Sequence, residues 1–454
     1  MVITIFCLYS LHYEQFPDGT VKCIEDEIPF ELPEGWMWSN LGTLFNHNTG
    51  KALNSSNQGG IELTYITTSN VYWDKFELDD LKIMGFNANE IDKCTVTKGD
   101  LLVCEGGDIG RAAIWNLDEP IRIQNHLHRL RPYDKIVTRF YYYIFYLYKL
   151  NGRIKGNGIG LQGLSSNALH SIIVPVAPIS QQYAIIQKIE ESFDLIDSLD
   201  EQKTDLESCI ATIKSKILDL AIRGKLVPQN LDDEPASVLL ERIRAEKEEL
   251  IKQGKIKRDK KESVIFKGED NSYYDVIIPP SWKLANLSDV TLNISDGSHN
   301  PPPKKNKGVP LLSATNIFDN KINYTSATRW ITEEEWIIEN ARTKIEVGDV
   351  LITIVGTIGR TAVVYDTTRF ALQRSVAVIK PHMIDSKYLM YVLQAPMIID
   401  WLNTNAKGNA QVGIYLKDLT KLSFPLPPLA EQKRIVAAIE TTFLQLDEIL
   451  NSIS

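Results

Sequence analysis

Apolar and polar residues along this chain alternate between two kinds of pattern. Short apolar runs set between Gly, Pro, Asn and Asp read as strands and turns, and they give way twice to longer stretches with helical spacing. The longest helical stretch runs from Pro178 to Pro228. Within it Leu206, Ile210, Ile213, Ile217 and Leu220 have the 4,3,4,3 spacing of a coiled-coil seam. Pro178 and Ser180 supply a start signal, and Gly224 and Pro228 a stop. A continuous helix from Ser180 to Ile222 would be roughly 60–65 Å long at 1.5 Å per residue, too long for the core of a small domain.

The helical pattern returns at the end of the chain. Pro425 to Gln432 resembles Pro175 to Gln182 at an offset of 250, and the apolar positions that follow match one for one. Ile189 corresponds to Ile439, Phe193 to Phe443 and Ile196 to Leu446, with Glu190 and Asp197 corresponding to Glu440 and Asp447. Two helices with one seam pattern can bury those seams against each other.

The repeat extends upstream. Lys98 to Ala113 (KGDLLVCEGGDIGRAA) aligns with Val347 to Ala362 (VGDVLITIVGTIGRTA) at an offset of 249, and Gln124 meets Gln373 at the same offset. Gly35-Trp36 meets Ser281-Trp282 at 246. The chain therefore reads as domain, rod, domain, rod. Its parts are an N-terminal extension (1–27), a first strand-rich domain (28–177), a long central helix (178–228), a charged spacer (229–272), a second domain (273–425) and a C-terminal helix (426–454). The extension echoes the end of the spacer. In domain one, strands are predicted around 37–45, 61–66, 98–104, 112–115 and 129–132, with a helix over 139–150. Domain two repeats the plan, with a helix near 386–401. The fold class is α+β: two strand-rich domains joined by two long antiparallel helices, with an internal pseudo-two-fold repeat.

Composition narrows the function. The chain has 454 residues and a net charge of -9, so any DNA-binding surface would have to be a local patch on an acidic body, and the excess acid could face a protein partner instead. Five cysteines without a CxxC pair argue against a disulfide framework or a zinc site and fit a reducing cytoplasm. The apolar opening MVITIFCLYSL is too short to span a bilayer, and no Lys or Arg precedes Lys22, so no targeting signal is read.

Enzyme motifs fail on inspection. Gly158 to Gly163 matches GxGxxG, but it does not follow a strand and its counterpart Gly408 to Gly413 loses the pattern. Asn300-Pro301-Pro302-Pro303 lacks the aromatic residue that an adenine methyltransferase stacks on a flipped base. Glu201-Gln202-Lys203 and Glu431-Gln432-Lys433 have the Glu-x-Lys shape of nuclease sites but lie on the rods. No catalytic residue and no metal ligand is assigned.

The duplicated features suit recognition. Arg111 and Arg360 each end a glycine turn and could clamp a phosphate, or could be structural ion pairs in hairpin turns. Polar loops surround each turn: Lys51, Asn54, Ser55, Thr67, Ser69, Asn70, Gln124, Asn125 and Lys155 in the first copy, and Ser298, His299, Lys304, Ser313, Thr315, Asn316, Gln373, Arg374 and Lys407 in the second. Such residues can read base edges by hydrogen bonds, and they are also what any loop contains. A shared scaffold with divergent tips is what two readers of different short sequences need. The helix-seam residues are Ile189, Phe193, Ile196, Leu206, Ile210, Ile213, Ile217, Leu220, Ile439, Phe443 and Leu446.

Both Gly-x-Ile-Gly-Arg turns, the Trp36 and Trp282 domain starts, the Pro-rich entries into the rods and the run Gly224-Lys225-Leu226-Val227-Pro228-Gln229 with Asp233-Glu234-Pro235-Ala236 together resemble the specificity (S) subunit of type I restriction–modification enzymes. The resemblance implies a non-catalytic, cytoplasmic subunit whose two domains each read one half of a bipartite double-stranded DNA site. The helices would set the gap and dock two methyltransferase subunits, with restriction subunits joining the complex. S-adenosylmethionine, ATP and Mg would belong to those partners, with no cofactor in this chain. The sequence departs from the pattern in one respect: the last helix has no second Gly-Lys-Leu-Val-Pro-Gln ending. A coiled-coil scaffold for proteins and a single-chain adenine methyltransferase are the alternatives.

Overall fold

The computed structural model describes residues 4–8, 11–53, 59–154, 163–256, 278–408 and 412–453. The chain divides into two compact units, Met1–Leu199 and Asp200–Ser454. The boundary falls within the central helix, Ile179–Ile222.

In the first unit, alternating apolar residues build a four-stranded antiparallel sheet in the order Ala112–Ile114, Leu101–Cys104, Leu127–Pro132, Phe45–Thr49. Leu101–Cys104 is buried on both faces and reads accordingly as a continuous apolar run. One face packs on the aromatic helix Thr138–Leu150, through Phe140, Tyr141, Ile144 and Phe145. The other face carries a second core around Trp115, Ile66 and Ile123. There Ile121–Ile123 runs parallel to Ile61–Ile66, which also pairs with Lys82–Phe86. The strand predicted over 37–45 is interrupted: Met37–Asn40 pairs with Ile173–Val176, a helical turn follows at Leu41–Leu44, and a new strand starts at Phe45. The spacer residues that the N-terminus echoes, Tyr273 to Asp275, lie outside the described residues. The N-terminal residues form a small antiparallel sheet, Thr4–Leu8, Leu11–Gln15 and Val21–Cys23.

The second unit repeats the plan. Its main sheet orders Thr291–Asp296, Val376–Pro381, Val350–Thr353 and Thr361–Val363, and Val309–Leu312 runs parallel to Ala371–Leu372. A bulge between Thr291 and Asn293 inserts one residue, which moves the offset between copies from 246 to 247. The helix predicted near 386–401 is two helices, Ser386–Gln394 and Pro396–Asn405, because Pro396 excludes Ala395 from helical geometry and restarts the chain at its own first turn. The charged spacer contains the helix Ala236–Lys252, as its charge pattern predicts.

The paired helices of this unit run antiparallel: Lys214 meets Asp447, whereas Gln229, farther along, meets Glu431. Ile217, Leu218, Ala221 and Ile222 of the central helix share one core with Ile435, Val436 and Ile439 of the C-terminal helix Leu429–Ser452, and Phe443 and Leu446 pack against it. The seam is not uniform. Ile210 and Ile217 are buried, Leu206 and Leu220 are half-buried and Ile213 is exposed. In the first unit Ile189 is half-buried and Phe193 and Ile196 are exposed, so burial of one seam along the whole rod does not hold.

Candidate nucleic-acid interface

Each glycine turn projects from the end of the central strand of its sheet. Gly107 and Gly110, like Gly356 and Gly359, have positive φ, which lets the chain reverse within five residues. The two copies close identically. Cys104 N–H donates to Arg111 O and Gly110 N–H to Cys104 O at 2.8 and 2.9 Å; Thr353 and Gly359 make the same bonds at 2.8 and 2.9 Å. A side chain at Gly110 would collide with Ile154, and one at Gly359 with Ile399.

The same edge gathers the other predicted loops. Lys51 bridges Gln124 in parallel, and Ser298 bridges Gln373. The chains cross so closely that a Cβ on Gly50 would lie 2.1 Å from Ile123 O, and one on Gly297 would lie 2.1 Å from Leu372 O. This matched pair of glycines positions both rims and was not picked out from the sequence; its signal is recurrence at an offset of 247. Asn125 N–H donates to Lys51 O and Arg374 N–H to Ser298 O. Leu164 N–H reaches Glu105 O and Ile414 N–H reaches Ile354 O, so the segments that follow the last loop of each copy are tied beside the turn.

Several of the predicted DNA contacts hold the scaffold instead. The Lys51 ammonium is buried, 2.7 Å from Gly85 O and 2.7 Å from a Glu90 carboxylate oxygen, and it cannot reach a phosphate without breaking that pair. Asn70 and Asn316 close matched capped turns. The Asn70 side-chain oxygen accepts from Thr67 N–H at 2.9 Å and its amide donates to Glu77 O; the Asn316 oxygen accepts from Ser313 N–H at 2.9 Å and its amide donates to Asn323 O. Thr67 and Ser313 are thereby the caps, with their hydroxyls on Ser69 and Thr315, and these last two are exposed. The buried Ser298 is part of the crossing.

The two arginines part company. Arg111 stacks over Tyr72 at 4.8 Å and donates to Thr68 O at 2.7 Å, a structural tie. Arg360 stacks over the exposed ring of Phe318 at 5.4 Å, and among the described residues its guanidinium has no hydrogen-bond partner. The aromatic partners, at offset 246, are a second feature that the sequence reading missed. Gln124 and Gln373 are half-buried on the rims, and among the described residues their amides are unpaired. Next to them stand Asn125 and the exposed His126 in one copy, and the exposed Arg374 and half-buried Ser375 in the other. His299 lies 2.7 Å from Asp296, Lys304 is exposed, and Lys407 pairs through its backbone with Gly413 while its ammonium lies 3.6 Å from Asp418. Asn54, Ser55 and Lys155 lie outside the described residues.

The chemistry of the edge is that of hydrogen-bonding tips on a fixed frame. Burial pushes the Cys104 thiol up to about 11, so it is a protonated core residue. Asp100 of the recurring Gly-Asp pair accepts from Thr97 N–H and is held by Arg131 at 2.6 Å; Asp349 accepts from Glu346 N–H and lies 2.8 Å from Lys380. These carboxylates close turns. Among the described residues no group of three or more His, Cys, Asp and Glu side chains is placed to hold a metal ion, and no helix is long and apolar enough to cross a membrane.

Comparison with known proteins agrees with this duplicated plan. The family model described as "Type I restriction modification DNA specificity domain" matches residues 33–208 and 281–453, one match per repeat. Among curated proteins, the type I restriction enzyme EcoEI specificity subunit of Escherichia coli is 25% identical, covering 94% of this chain and 81% of that protein. The EcoBI specificity subunit of Escherichia coli is also 25% identical, covering 77% of this chain and 68% of that one. In fold the chain resembles the HsdS subunit from Thermoanaerobacter tengcongensis, with a TM-score of 0.54 at 16% identity over 94% of this chain and 93% of the other.

Proposed function

Because the chain belongs to the family of type I restriction–modification DNA specificity subunits, we propose that each of its two repeats reads one half of a bipartite DNA site. The chain is the non-catalytic, specificity-giving member of such a system. One observation supports the division of labour: two frames of glycine turn, crossing loops and capped turn, closed by matching backbone bonds, carry different side chains at their tips. Gln124 with Asn125 on one rim and Gln373 with Arg374 on the other present different donors and acceptors from the same backbone positions. That is the requirement for reading two unlike half-sites, since phosphate contacts position a protein and base contacts specify its sequence.

The paired helices set the gap between the half-sites. Half-sites on one face of B-DNA recur every ~34–36 Å, within reach of a 44-residue helix about 65 Å long. Two methyltransferase subunits dock on equivalent surfaces of the repeat, restriction subunits join them, and S-adenosylmethionine, ATP and Mg are held by those partners in the cytoplasm. With an acidic chain, the partners also supply part of the positive field that DNA requires.

The test is co-expression with the cognate methyltransferase, followed by single-molecule sequencing of host DNA for N6-methyladenine. A new motif with two short halves and a fixed gap is expected. Grafting Gln373-Arg374 in place of Gln124-Asn125 should alter one half of that motif and leave the other intact. A stable complex with no new motif would overturn the reading and favour a protein scaffold.

A further inference from the structure

The crossing loops of the two repeats share a backbone but differ in what they hold out beyond it. In the second repeat the strand Thr291–Asp296 ends on a buried acid. At the crossing that follows, Gly297 N–H donates to Val376 O and Ser298 N–H to Leu372 O. The chain then leaves the sheet, and His299 is the first residue past the rim that Ser298 and Gln373 form. The loop behind it is fixed. Arg329 donates to Pro302 O at 3.3 Å, Pro301 to Pro303 restrict the backbone, and Lys305 exchanges both backbone hydrogen bonds with Trp330. His299 is therefore held in place before any ligand arrives.

Two groups orient its ring. The Nε2 atom lies 2.7 Å from Asp296 Oδ2. The other oxygen of that carboxylate accepts from the Arg342 guanidinium, whose Nε also donates to Asp296 O at 3.0 Å. Arg342 itself stands in the last turn of the helix Glu333–Thr343. A carboxylate has no hydrogen to give, so Nε2 carries the hydrogen in this contact. In the neutral imidazole the other nitrogen, Nδ1, is then a bare acceptor. Among the described residues Nδ1 has no hydrogen-bond partner, and the side chain is 51% exposed.

The first repeat has a different arrangement. Thr49 and Ala52 stand at the positions of Asp296 and His299, and Lys51, in the place of Ser298, turns back to Glu90. The acid–imidazole pair is thus a property of one rim, not of the shared frame.

We propose that His299 is a base-reading residue of the second repeat and that Asp296, held by Arg342, is its positioning residue. The acid fixes the tautomer, so that Nδ1 accepts a hydrogen bond from an exocyclic amine, adenine N6 or cytosine N4, in the major groove. Those amines are the donors on the major-groove edge of the base pairs. A ring already oriented by Asp296 loses little further freedom on binding. The inference rests on the DNA-reading assignment above and adds to it one residue, one tautomer and one functional group of the target.

The test uses the full chain assembled with its cognate methyltransferase. Sequencing for N6-methyladenine first compares the wild type with His299→Ala. One position in one half of the motif should lose its base preference by about tenfold, and the other half should stand unchanged, because the first repeat carries Ala52. Binding is then measured on duplexes whose amino base at that position is replaced by its analogue without the amine, purine for adenine or pyrimidinone for cytosine. Loss of the amine should weaken the wild-type complex about tenfold and the His299→Ala complex far less. Asp296→Asn turns an amide towards Nε2, since Arg342 retains the carbonyl oxygen. The imidazole then carries its hydrogen on Nδ1, and the preference at that position should move to an acceptor, guanine O6 or N7 or thymine O4. His299 is exposed, so His299→Ala and the analogues decide the matter even where Asp296→Asn lowers stability. A motif unchanged by His299→Ala, uniform weakening on every sequence, or an equal penalty for amine loss in both complexes overturns the proposal. So does an Asp296→Asn complex that binds DNA with its base preference unchanged. A wild-type complex with no motif at all is a separate failure: it overturns the DNA-reading assignment, and this inference with it.

Discussion

The two repeats share a frame but not an environment. In the second unit the C-terminal helix is sealed beneath the far half of the central helix, the Gly224 turn and the spacer helix; in the first unit the matched stretch of the central helix keeps Phe193 and Ile196 exposed among the described residues. The residues on the helices are nearly the same: Ile for Ile, Phe for Phe, Glu for Glu, Asp for Asp. What differs is the neighbour. Periodicity within a helix specifies that a face is apolar, whereas only the rest of the chain determines whether that face is buried.

The largest expected effect follows from that contrast. Ile439→Ala removes a fully buried side chain and should cost about 2–5 kcal/mol in the second unit. Its counterpart Ile189→Ala, half-buried on the central helix, should cost less than about 1 kcal/mol. Hydrogen exchange of the amides over 429–452 and over 179–199 measures each unit separately; equal losses would break the comparison. Next come Gln182 and Gln432, which clamp their helices to the domains in both copies alike. Gln182→Ala and Gln432→Ala each leave a half-buried N–H and a buried C=O without a partner, so each should cost about 1–3 kcal/mol. Here equality is the expectation, and a one-sided loss would show that the cover, rather than the clamp, fastens the second rod.

How much of this the sequence carries depends on the range of each interaction. The domain–rod–domain–rod order is visible because duplication leaves matched residues at constant offsets, and even the slip from 246 to 247 has a local cause in the bulge after Thr291. The roles of Gln182 and Gln432 are not visible, since a glutamine at a helix start is equally suited to solvent. Lys51 looks like a loop cation because its partner Glu90 lies 39 residues on. Asn70 and Asn316 look like base readers because a side-chain cap and a base contact use the same amide. The N-terminal sheet is not legible in the sequence because its strands are short and pair only with one another.

A smaller difference tests the comparison by pH. In the first unit His47 Nε2 lies 2.8 Å from His128 Nδ1, while His128 Nε2 donates to Leu164 O. The second unit has Ile294 and Ala377 at the matched register positions. Burial, with repulsion from His128 and His170, pushes the His47 imidazole down to about 3, and burial also lowers that of His128. A base whose folded-state value lies below its unfolded value of 6.5 takes up its proton only on unfolding. It therefore lowers the stability of the first unit as pH falls from about 6.5 towards 3. Between pH 7 and 5 the urea midpoint of the first unit should fall, and the double substitution His47→Ile with His128→Ala should flatten that slope. The second unit, followed by exchange over 376–381, should change less across the same window.

The smallest effect on stability, and the sharpest test of the recognition edges, comes from the arginines. Arg111 donates to Thr68 O and stacks on Tyr72, so Arg111→Ala leaves that carbonyl without its partner and should cost about 1–2 kcal/mol. Arg360 stacks on a mostly exposed Phe318 and has no hydrogen bond through its guanidinium among the described residues, so Arg360→Ala should change stability by less than about 0.5 kcal/mol. Binding of DNA by the assembled methyltransferase complex should respond in the opposite order. A guanidinium available to a phosphate contributes to every sequence alike, so Arg360→Ala should weaken specific and non-specific DNA together and lower the salt dependence by about one counterion. Arg111→Ala should act on DNA only in proportion to its loss of fold. If both arginines lower DNA affinity equally at unchanged stability, the two turns are functional equivalents and the Thr68 tie is incidental. If neither does, the turns are frame, and recognition belongs to the glutamine tips beside them.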